Sequence, residues 1–299
     1  MSSTMPQSSL SAPAAARWLR RQRHLNFGRR LFSIAGWSMS ALTLLLLAIV
    51  IVWILTIVLM RGWAAMHPSL FTTITQGNGG GLLNAIEGTF VLGIGSLALA
   101  VPLGVAAGVY ASEYRFTRWS SAIRFLSEVL VGVPSIVLGY FGYVTMVEGL
   151  GWEFSVAAGS IVLGIICLPY ICRTTELALR QVSDELREAA YALGASERHA
   201  ILHVCLPAAL PGILTGVMLA LAISVGETAP LLYTAGWSNY LWDGRLTHSP
   251  IGYLTYAIWT FINEPFAAAN ALAYAAAFLL LLVVLGINIL SRFVLSPRP

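Results

Sequence analysis

The stretch that decides the fold is LFSIAGWSMSALTLLLLAIVIVWILTIVLM, from Leu31 to Met60, which holds no charged side chain over 30 residues. A helix of about 20 apolar residues is long enough to cross the hydrocarbon core of a bilayer. Backbone polar groups cannot bond to water inside that core, so a run of this length is predicted to be a helix. We therefore predict that the chain spans a membrane at this run.

Five further runs also lack Asp, Glu, Lys and Arg over a length that can cross a bilayer. The whole chain is 58% hydrophobic and only 10% charged, whereas soluble domains carry about 25% charged residues. We therefore predict an all-α membrane protein with six transmembrane helices. The expected spans are about 33–60, 88–112, 125–147, 154–172, 206–231 and 269–293.

A shorter apolar segment, 251–262, is interpreted from the distribution of arginine. All 17 basic residues are Arg, and six crossings would place all of them except Arg61 and Arg245 on one side. The positive-inside rule makes that side the cytoplasm, so both termini are expected there, in the inner (plasma) membrane. A seventh crossing would move Arg292 and Arg298 outside. Segment 251–262 is therefore predicted to be a non-spanning helix within a periplasmic loop, 233–264, whose Trp and Tyr residues are expected at the membrane interface.

The N-terminal tail and the arginine pattern exclude several classes of function. Residues 1–30 are rich in Ser, Ala and Pro and then in Arg, which predicts a cytoplasmic tail that is disordered or lies on anionic membrane lipid. No nucleic-acid partner is expected, because the arginines are spread over several loops. The chain has no Lys, so it cannot hold the lysine of a nucleotide-binding P-loop. His199 and His203 lie on one helix face without a third candidate ligand, so no metal site is predicted.

The longest cytoplasmic connection reads QVSDELREAAYALGASERHAILHVCLP, from Gln181 to Pro207. Ser183 is a candidate N-cap, because its hydroxyl can accept a hydrogen bond from a free N–H of the first turn. Gly194 is predicted to end this helix, since glycine tolerates the left-handed cap conformation. Ser196 can then cap a second helix that leads into the membrane. One apolar face lies between the caps, formed by Leu186, Ala189, Ala190 and Leu193, and its two alanines would let another protein approach closely.

The spacing of this loop, 181–205, resembles the EAA loop of the binding-protein-dependent ABC importer permeases (type I, MetI-like). Glu188-Ala189-Ala190 is followed by three residues, Gly194, nine residues and Val204-Cys205-Leu206-Pro207, so only the Ile of the family pattern is replaced, by Val204. The resemblance implies a permease domain over 31–299 and a coupling helix that docks on a separate ATPase. The implied coupling residues are Leu186, Glu188, Ala189, Ala190, Gly194, Leu206 and Pro207.

Further segments, from about Gly79 to the C-terminus, are similar to one permease subunit of phosphate importers. That resemblance implies a homologous second permease, two ATPase subunits that bind ATP and Mg²⁺, and a periplasmic phosphate-binding protein as partners. The chain itself is expected to hold no cofactor and no catalytic residue. The segments are Gly80–Thr89, Val101–Gly104, Tyr110–Tyr114, Gly132–Val137 and Gly226–Ala235.

A carboxylate at membrane depth marks a candidate translocation pathway. Glu227 ends a long apolar run, and an ionisable group there is costly unless it faces a pathway or a partner. Proline and glycine interrupt helices beside it, which membrane proteins tolerate next to an aqueous cavity. Glu227 could pair with an Arg, accept a hydrogen bond from a protonated phosphate oxygen, or lie solvated at the outer interface. The candidate pathway residues are Pro134, Ser135, Gly226, Glu227 and Thr228.

One position departs from the phosphate pattern. That family often has an Arg four residues before the glutamate, where this chain has Ile223. A cation for an oxyanion is therefore missing from this helix and is expected on the partner subunit, unless the substrate differs. A permease for another oxyanion or small solute, and an ATP-independent channel or membrane enzyme, remain as alternatives.

Overall fold

A computed structural model describes the backbone of residues 12–295 and the side chains of residues 32–293. Apart from a hairpin of two short strands, β1 (Thr75–Gln76) and β2 (Gly79–Gly80), its regular structure is helical, which confirms the all-α class. A 3₁₀ turn lies at Pro68–Phe71, and π-helical turns lie at Tyr143–Gly149 and Ile201–Cys205. The helices are α1 Ala12–Ala64, α2 Leu83–Glu113, α3 Arg118–Gly132, α4 Ser135–Gly142, α5 Val156–Arg180, α6 Asp184–Ala192, α7 Glu197–Ala200, α8 Leu206–Gly226, α9 Ala229–Thr234, α10 Leu254–Phe261 and α11 Ala267–Leu295.

Among the described residues, five helical segments are long and apolar enough to cross a membrane by themselves: Phe32–Ala64, Leu83–Glu113, Val156–Arg180, Glu197–Gly226 and Ala267–Phe293. The sixth is a bent pair, Arg118–Gly132 with Ser135–Gly149, whose two parts meet at 97°. Proline has no N–H to donate and disfavours a helical residue before it, so Pro134 breaks the helix. The single third span predicted at 125–147 is therefore two short helices in the structure.

The N-terminal part of the chain differs from its prediction. The chain divides into two compact units, Met1–Ile57 and Val58–Pro299. α1 begins at Ala12, so residues 12–30 are helical where the sequence predicts a disordered tail. Ala, Leu, Arg and Gln, which dominate these residues, have high helix propensity and continue directly into the apolar run. Residues 1–11 lie outside the described part of the chain.

Small residues bring α2, α5 and α8 close together in the second unit. A Cβ on Gly104 would lie 2.9 Å from the Ile171 side chain, and one on Gly108 would lie 2.6 Å from the Cys172 carbonyl oxygen. On α8, a Cβ on Gly212 would lie 2.6 Å from that of Ala178 of α5. Such small residues let helix backbones approach in a membrane, where packing replaces the hydrophobic driving force. These three helices form the framework that positions both candidate sites.

The loop before α10 is packed on the start of α2. The Asn84 amide donates to the Ser238 carbonyl (2.8 Å), and the Trp242 N–H donates to the Glu87 carboxylate (3.1 Å). Thr89 accepts from the Leu254 N–H at 2.9 Å. α10 has only eight residues, or about 12 Å, so it cannot cross a bilayer.

Aromatic residues in this loop differ in their surroundings. Tyr253 is only 2% exposed, and the Trp237 ring stacks on Tyr256 with centroids 4.7 Å apart. Tyr240 and Trp259 are exposed. The predicted interfacial role therefore fits Tyr240 and Trp259, whereas Tyr253 belongs to the interior.

Candidate coupling and translocation sites

The coupling loop has the local structure that its sequence predicts. The Ser183 Oγ accepts from the Leu186 N–H at 3.4 Å and caps α6. Gly194 has φ +84°, a conformation that glycine adopts without a steric penalty. It reverses the chain, and the Ser196 Oγ then caps α7 by accepting from the His199 N–H at 3.4 Å. The predicted caps and the predicted glycine turn are confirmed.

A largely buried ion pair attaches α6 to α2. The Arg187 guanidinium donates from Nη1 to Glu113 Oε2 (2.5 Å) and from Nη2 to Glu113 Oε1 (3.0 Å). A third bond runs from Nη2 to the Leu179 carbonyl at the end of α5 (3.1 Å). The hydrogen bond to Glu113 raises the pKa of Arg187 above its usual value, so the pair stays charged. These bonds hold α6 to the C-terminal ends of two framework helices, α2 and α5.

A second contact joins the same end of α2 to α7. The Tyr114 hydroxyl lies close to the Glu197 carboxylate, whose negative charge raises the pKa of Tyr114. Both helices of the coupling loop therefore approach the same end of α2. None of Glu113, Tyr114, Arg187 and Glu197 was predicted as a coupling residue. The available signal was Arg187, which lies three residues before Ala190 and so shares its face of α6.

The residues predicted to contact an ATPase divide into two groups. Leu186 is 40% exposed, and Glu188, Ala189, Gly194 and Pro207 are exposed as well. Leu206 is partly buried against the core cluster of α5 and α8. Ala190 is 8% exposed, because the ion pair of Arg187 turns that side of α6 toward its own chain. Ala190 therefore packs within its own chain, its contact with an ATPase stays a prediction, and exposed Leu193 extends the free face of α6.

Two interrupted helices meet at the candidate translocation site. α8 ends at Gly226, Glu227 is extended (φ −73°, ψ 137°), and α9 begins at Ala229. The break between α3 and α4 lies at Pro134. α4 packs on α9 so closely that a Cβ on Gly139 would lie 2.5 Å from the Pro230 Cα. Interrupted helices of this kind are typical of the binding sites of transporters.

The structure brings the predicted pathway residues together around Glu227. The Ser135 hydroxyl lies close to its carboxylate, across the two breaks. Its backbone carbonyl accepts from Thr255 Oγ1 at 2.8 Å. Gly226 and Thr228 flank it in the chain, and Pro134 precedes Ser135. Within the side chains that the structure describes, no Arg forms a salt bridge with Glu227.

A group of arginines at the coupling-loop end of the bundle was not predicted as a site. Glu176 of α5, only 1% exposed, accepts from Arg124 Nε (2.7 Å), Arg173 Nη1 (3.0 Å) and Arg180 Nη2 (2.6 Å). Arg124 also donates to the Ala111 carbonyl of α2 at 2.6 Å. These charges explain why α5 runs to Arg180, beyond the predicted end near residue 172. Glu176 neutralises part of the positive charge of these arginines. The helix therefore continues through charged residues, at which a prediction based on uncharged runs ends.

Comparison with known proteins finds a matching protein family and close relatives of this chain. Residues 100–296 match the family model described as binding-protein-dependent transport system inner membrane component. The phosphate transport system permease protein PstA 2 of Mycobacterium bovis is 46% identical over 278 residues, covering 91% of this chain and 92% of that protein. PstA of Yersinia pestis is 40% identical, covering 83% of this chain and 84% of that protein.

A solved structure supports the fold independently of these sequences. A chain of the MetNI methionine ABC transporter in an inward-facing crystal form superimposes with a TM-score of 0.58. The alignment covers 73% of this chain and 94% of that one, at 21% identity. At this identity the likeness shows the arrangement of helices alone.

Proposed function

Since the chain belongs to the family of binding-protein-dependent transport system inner membrane components, we propose that it is the permease subunit of an ATP-driven importer of inorganic phosphate. It is a multi-pass membrane protein and a transport subunit rather than an ATPase. In the proposed assembly it pairs with a homologous second permease, two ATPase subunits that bind ATP and Mg²⁺, and a periplasmic phosphate-binding protein. Its proposed location is the inner membrane, with both termini in the cytoplasm.

The coupling loop carries this proposal. The face of α6 with Leu186, Ala189 and Leu193 is free for an ATPase, while Arg187 on the opposite side holds α6 to α2. Movement of a docked ATPase would therefore be transmitted to α2 through Glu113. α2 packs tightly on α5, so the framework would move as a body, which is how alternating access is achieved.

Phosphate as the substrate is supported by the relatives and by the chemistry around Glu227. The relatives described above are named as phosphate transport permeases. A carboxylate beside an anion can accept a hydrogen bond only if the anion carries a proton, as hydrogen phosphate does. Ser135 adds a hydroxyl donor for another phosphate oxygen. We propose that Glu227 and Ser135 border the pathway at the meeting point of the two breaks.

Uptake by proteoliposomes tests this function. Vesicles that contain the assembled importer and its binding protein should accumulate labelled phosphate only when ATP is present on the side of the membrane that carries the ATPase subunits. Excess sulfate or molybdate should not compete. Competition by either anion would favour the second candidate, a permease for another oxyanion. Ile223 in place of an arginine is the observation that favours this candidate. Uptake without ATP would contradict the proposal.

The glycine turn offers a sharper test of coupling. Gly194→Val forces a β-branched residue into a left-handed conformation and costs about 1–2 kcal/mol locally. We expect it to displace α6, to weaken co-purification with the ATPase and to abolish ATP-dependent uptake. Gly194→Asn is the matched control, because Asn tolerates the same conformation, and it should retain most uptake. Equal uptake by both variants would exclude a role for this turn.

A further inference from the structure

The arginine group around Glu176 has more positive charge than one carboxylate can balance. Arg124, Arg173 and Arg180 all donate to the same side chain. Each guanidinium carries five N–H donors, and Glu176 takes only one from each. Arg173 remains 57% exposed. Donors are therefore available in this group for a further acceptor.

A cavity of about 260 Å³ lies between α3 and α5 beside this group. Its polar lining is formed by Arg124, Ser127, Glu128, Arg173 and Glu176. A water molecule occupies about 30 Å³ of the liquid, so the cavity has room for a tetrahedral oxyanion with several waters. Arginine is well suited to such a group, because its planar fork can bind two oxygens at once.

The cavity lies along the helix that reaches the candidate translocation site. Arg124 and Glu128 are on α3, and Val131, one residue before the end of that helix, also lines the cavity. Eight residues separate Arg124 from Gly132, a distance of about 12 Å along the axis. Beyond the break at Pro134, Ser135 contacts Glu227. The cavity therefore lies along α3, between the break and the coupling-loop end of the bundle.

We propose that this cavity is a binding site for hydrogen phosphate as it leaves the pathway at the coupling-loop end. Arg124 and Arg173 donate to its oxygens, and Glu128 accepts a hydrogen bond from its protonated oxygen. Glu176 balances the arginines while the site is empty. This inference rests on the proposed function. It assigns to arginines of this chain the contact with the anion for which the helix before Glu227, with Ile223 in place of an arginine, has no cation.

The two carboxylates in the lining select for a protonated anion. Sulfate at neutral pH has no proton to donate, so Glu128 and Glu176 would repel it. A phospholipid headgroup shares the phosphate chemistry, but its phosphodiester is also without a proton at neutral pH. The lining therefore favours free hydrogen phosphate over both.

Binding of inorganic phosphate to the full-length chain tests the site. The chain is placed in phosphatidylcholine nanodiscs, and labelled phosphate is titrated at pH 7 with and without sulfate. We expect Arg173→Gln to weaken phosphate binding at least tenfold. Glu128→Gln should weaken phosphate binding and allow sulfate to compete, because the amide can donate to an unprotonated oxygen. Both side chains are exposed enough for the variants to fold.

Arg118→Gln is the matched control, since Arg118 is exposed on the same helix and does not line the cavity. It should bind phosphate as the unmodified chain does. Equal binding by Arg173→Gln and Arg118→Gln, sulfate competition in the unmodified chain, or loss of phosphate binding when phosphatidylglycerol is added would each overturn the site. The last result would identify a lipid site. Normal phosphate uptake by Arg173→Gln vesicles would overturn this inference alone, whereas no phosphate uptake by the unmodified importer would remove the proposed function.

Discussion

Arg187 links the exposed coupling helix to the membrane bundle. Its side chain is 19% exposed and its partner Glu113 only 9%. Removing one member of a largely buried pair leaves the other charge without compensation, which costs several kcal/mol. Arg187 thus combines a contribution to stability with a place in the transmission of movement.

We expect Arg187→Gln to destabilise the contact between α6 and α2 by about 3 kcal/mol, because Glu113 loses its charged partner. ATP hydrolysis by the assembled importer should continue, while phosphate uptake per ATP falls at least fivefold. Parallel assays of hydrolysis and uptake measure this ratio. Arg198→Gln, at an exposed position on α7, should leave it unchanged. An unchanged ratio in Arg187→Gln would show that force reaches the bundle by another contact.

Glu227 provides a prediction about the pathway itself. Reversal of its charge by Glu227→Arg would remove the acceptor for a protonated oxygen and place a long cation against Ser135. We expect phosphate uptake to fall below a tenth of normal, with the importer still assembled. Glu264→Arg, in the connection between α10 and α11, is the control. Normal uptake by Glu227→Arg would place Glu227 outside the pathway.

At the scale of elements, the contact between α4 and α9 keeps the two helix breaks together. A Cβ on Gly139 would overlap the backbone of Pro230, which cannot move away easily because its ring fixes the chain. We therefore expect Gly139→Ala to lower thermal stability by about 1–3 kcal/mol and to reduce uptake.

Gly132→Ala is the comparison for this variant. Gly132 ends α3 at the same break, but a Cβ there has no atom within 4 Å. Thermal unfolding in detergent and uptake in vesicles should both be normal for Gly132→Ala. If the two variants behave alike, the close approach of α4 and α9 does not hold the site.

The elements also show what the sequence could predict. Long uncharged runs located the core of each spanning segment, because hydropathy is a local property. The charged ends of α2 and α5 could not be predicted in this way, since Glu113 and Glu176 are largely buried against Arg187 and Arg124, which are distant in sequence. The sharp angle at Pro134 was likewise hidden: proline predicts a break, but packing of α4 on α9 decides its size.

The candidate sites also contain local features that the sequence predicts and tertiary contacts that it does not. The caps of α6 and the turn at Gly194 follow from spacing and residue type, which are local. The breaks at Pro134 and Glu227 are also local, but the meeting of Ser135 with Glu227 depends on the packing of α4 on α9. The contact of Arg187 with Glu113 and the cavity at Arg173 depend on which helices are neighbours, and no single segment contains that information.

For the whole molecule, the orientation in the membrane can be measured with thiol reagents. All three cysteines of the chain are buried, so an impermeant maleimide should react little with the unmodified protein. Leu193→Cys, at a position 90% exposed, should be labelled only from the cytoplasmic side. Tyr240→Cys, at a position 74% exposed, should be labelled only from the opposite, outer side. The opposite pattern would invert the proposed topology.

α2 has a consequence for communication between the two faces of the membrane. Its first turns hold the loop before α10 through Asn84, Glu87 and Thr89, and its last residues hold the coupling loop. With 31 residues it is about 46 Å long, so one continuous helix reaches both the loop before α10 and the coupling loop. Because energetic coupling is reciprocal, an event outside that shifts the first turns of α2 would, in the proposed assembly, alter the affinity of α6 for the ATPase. Docking of a substrate-loaded binding protein would then affect the ATPase through the same helix that carries the effect of ATP hydrolysis to the outer face.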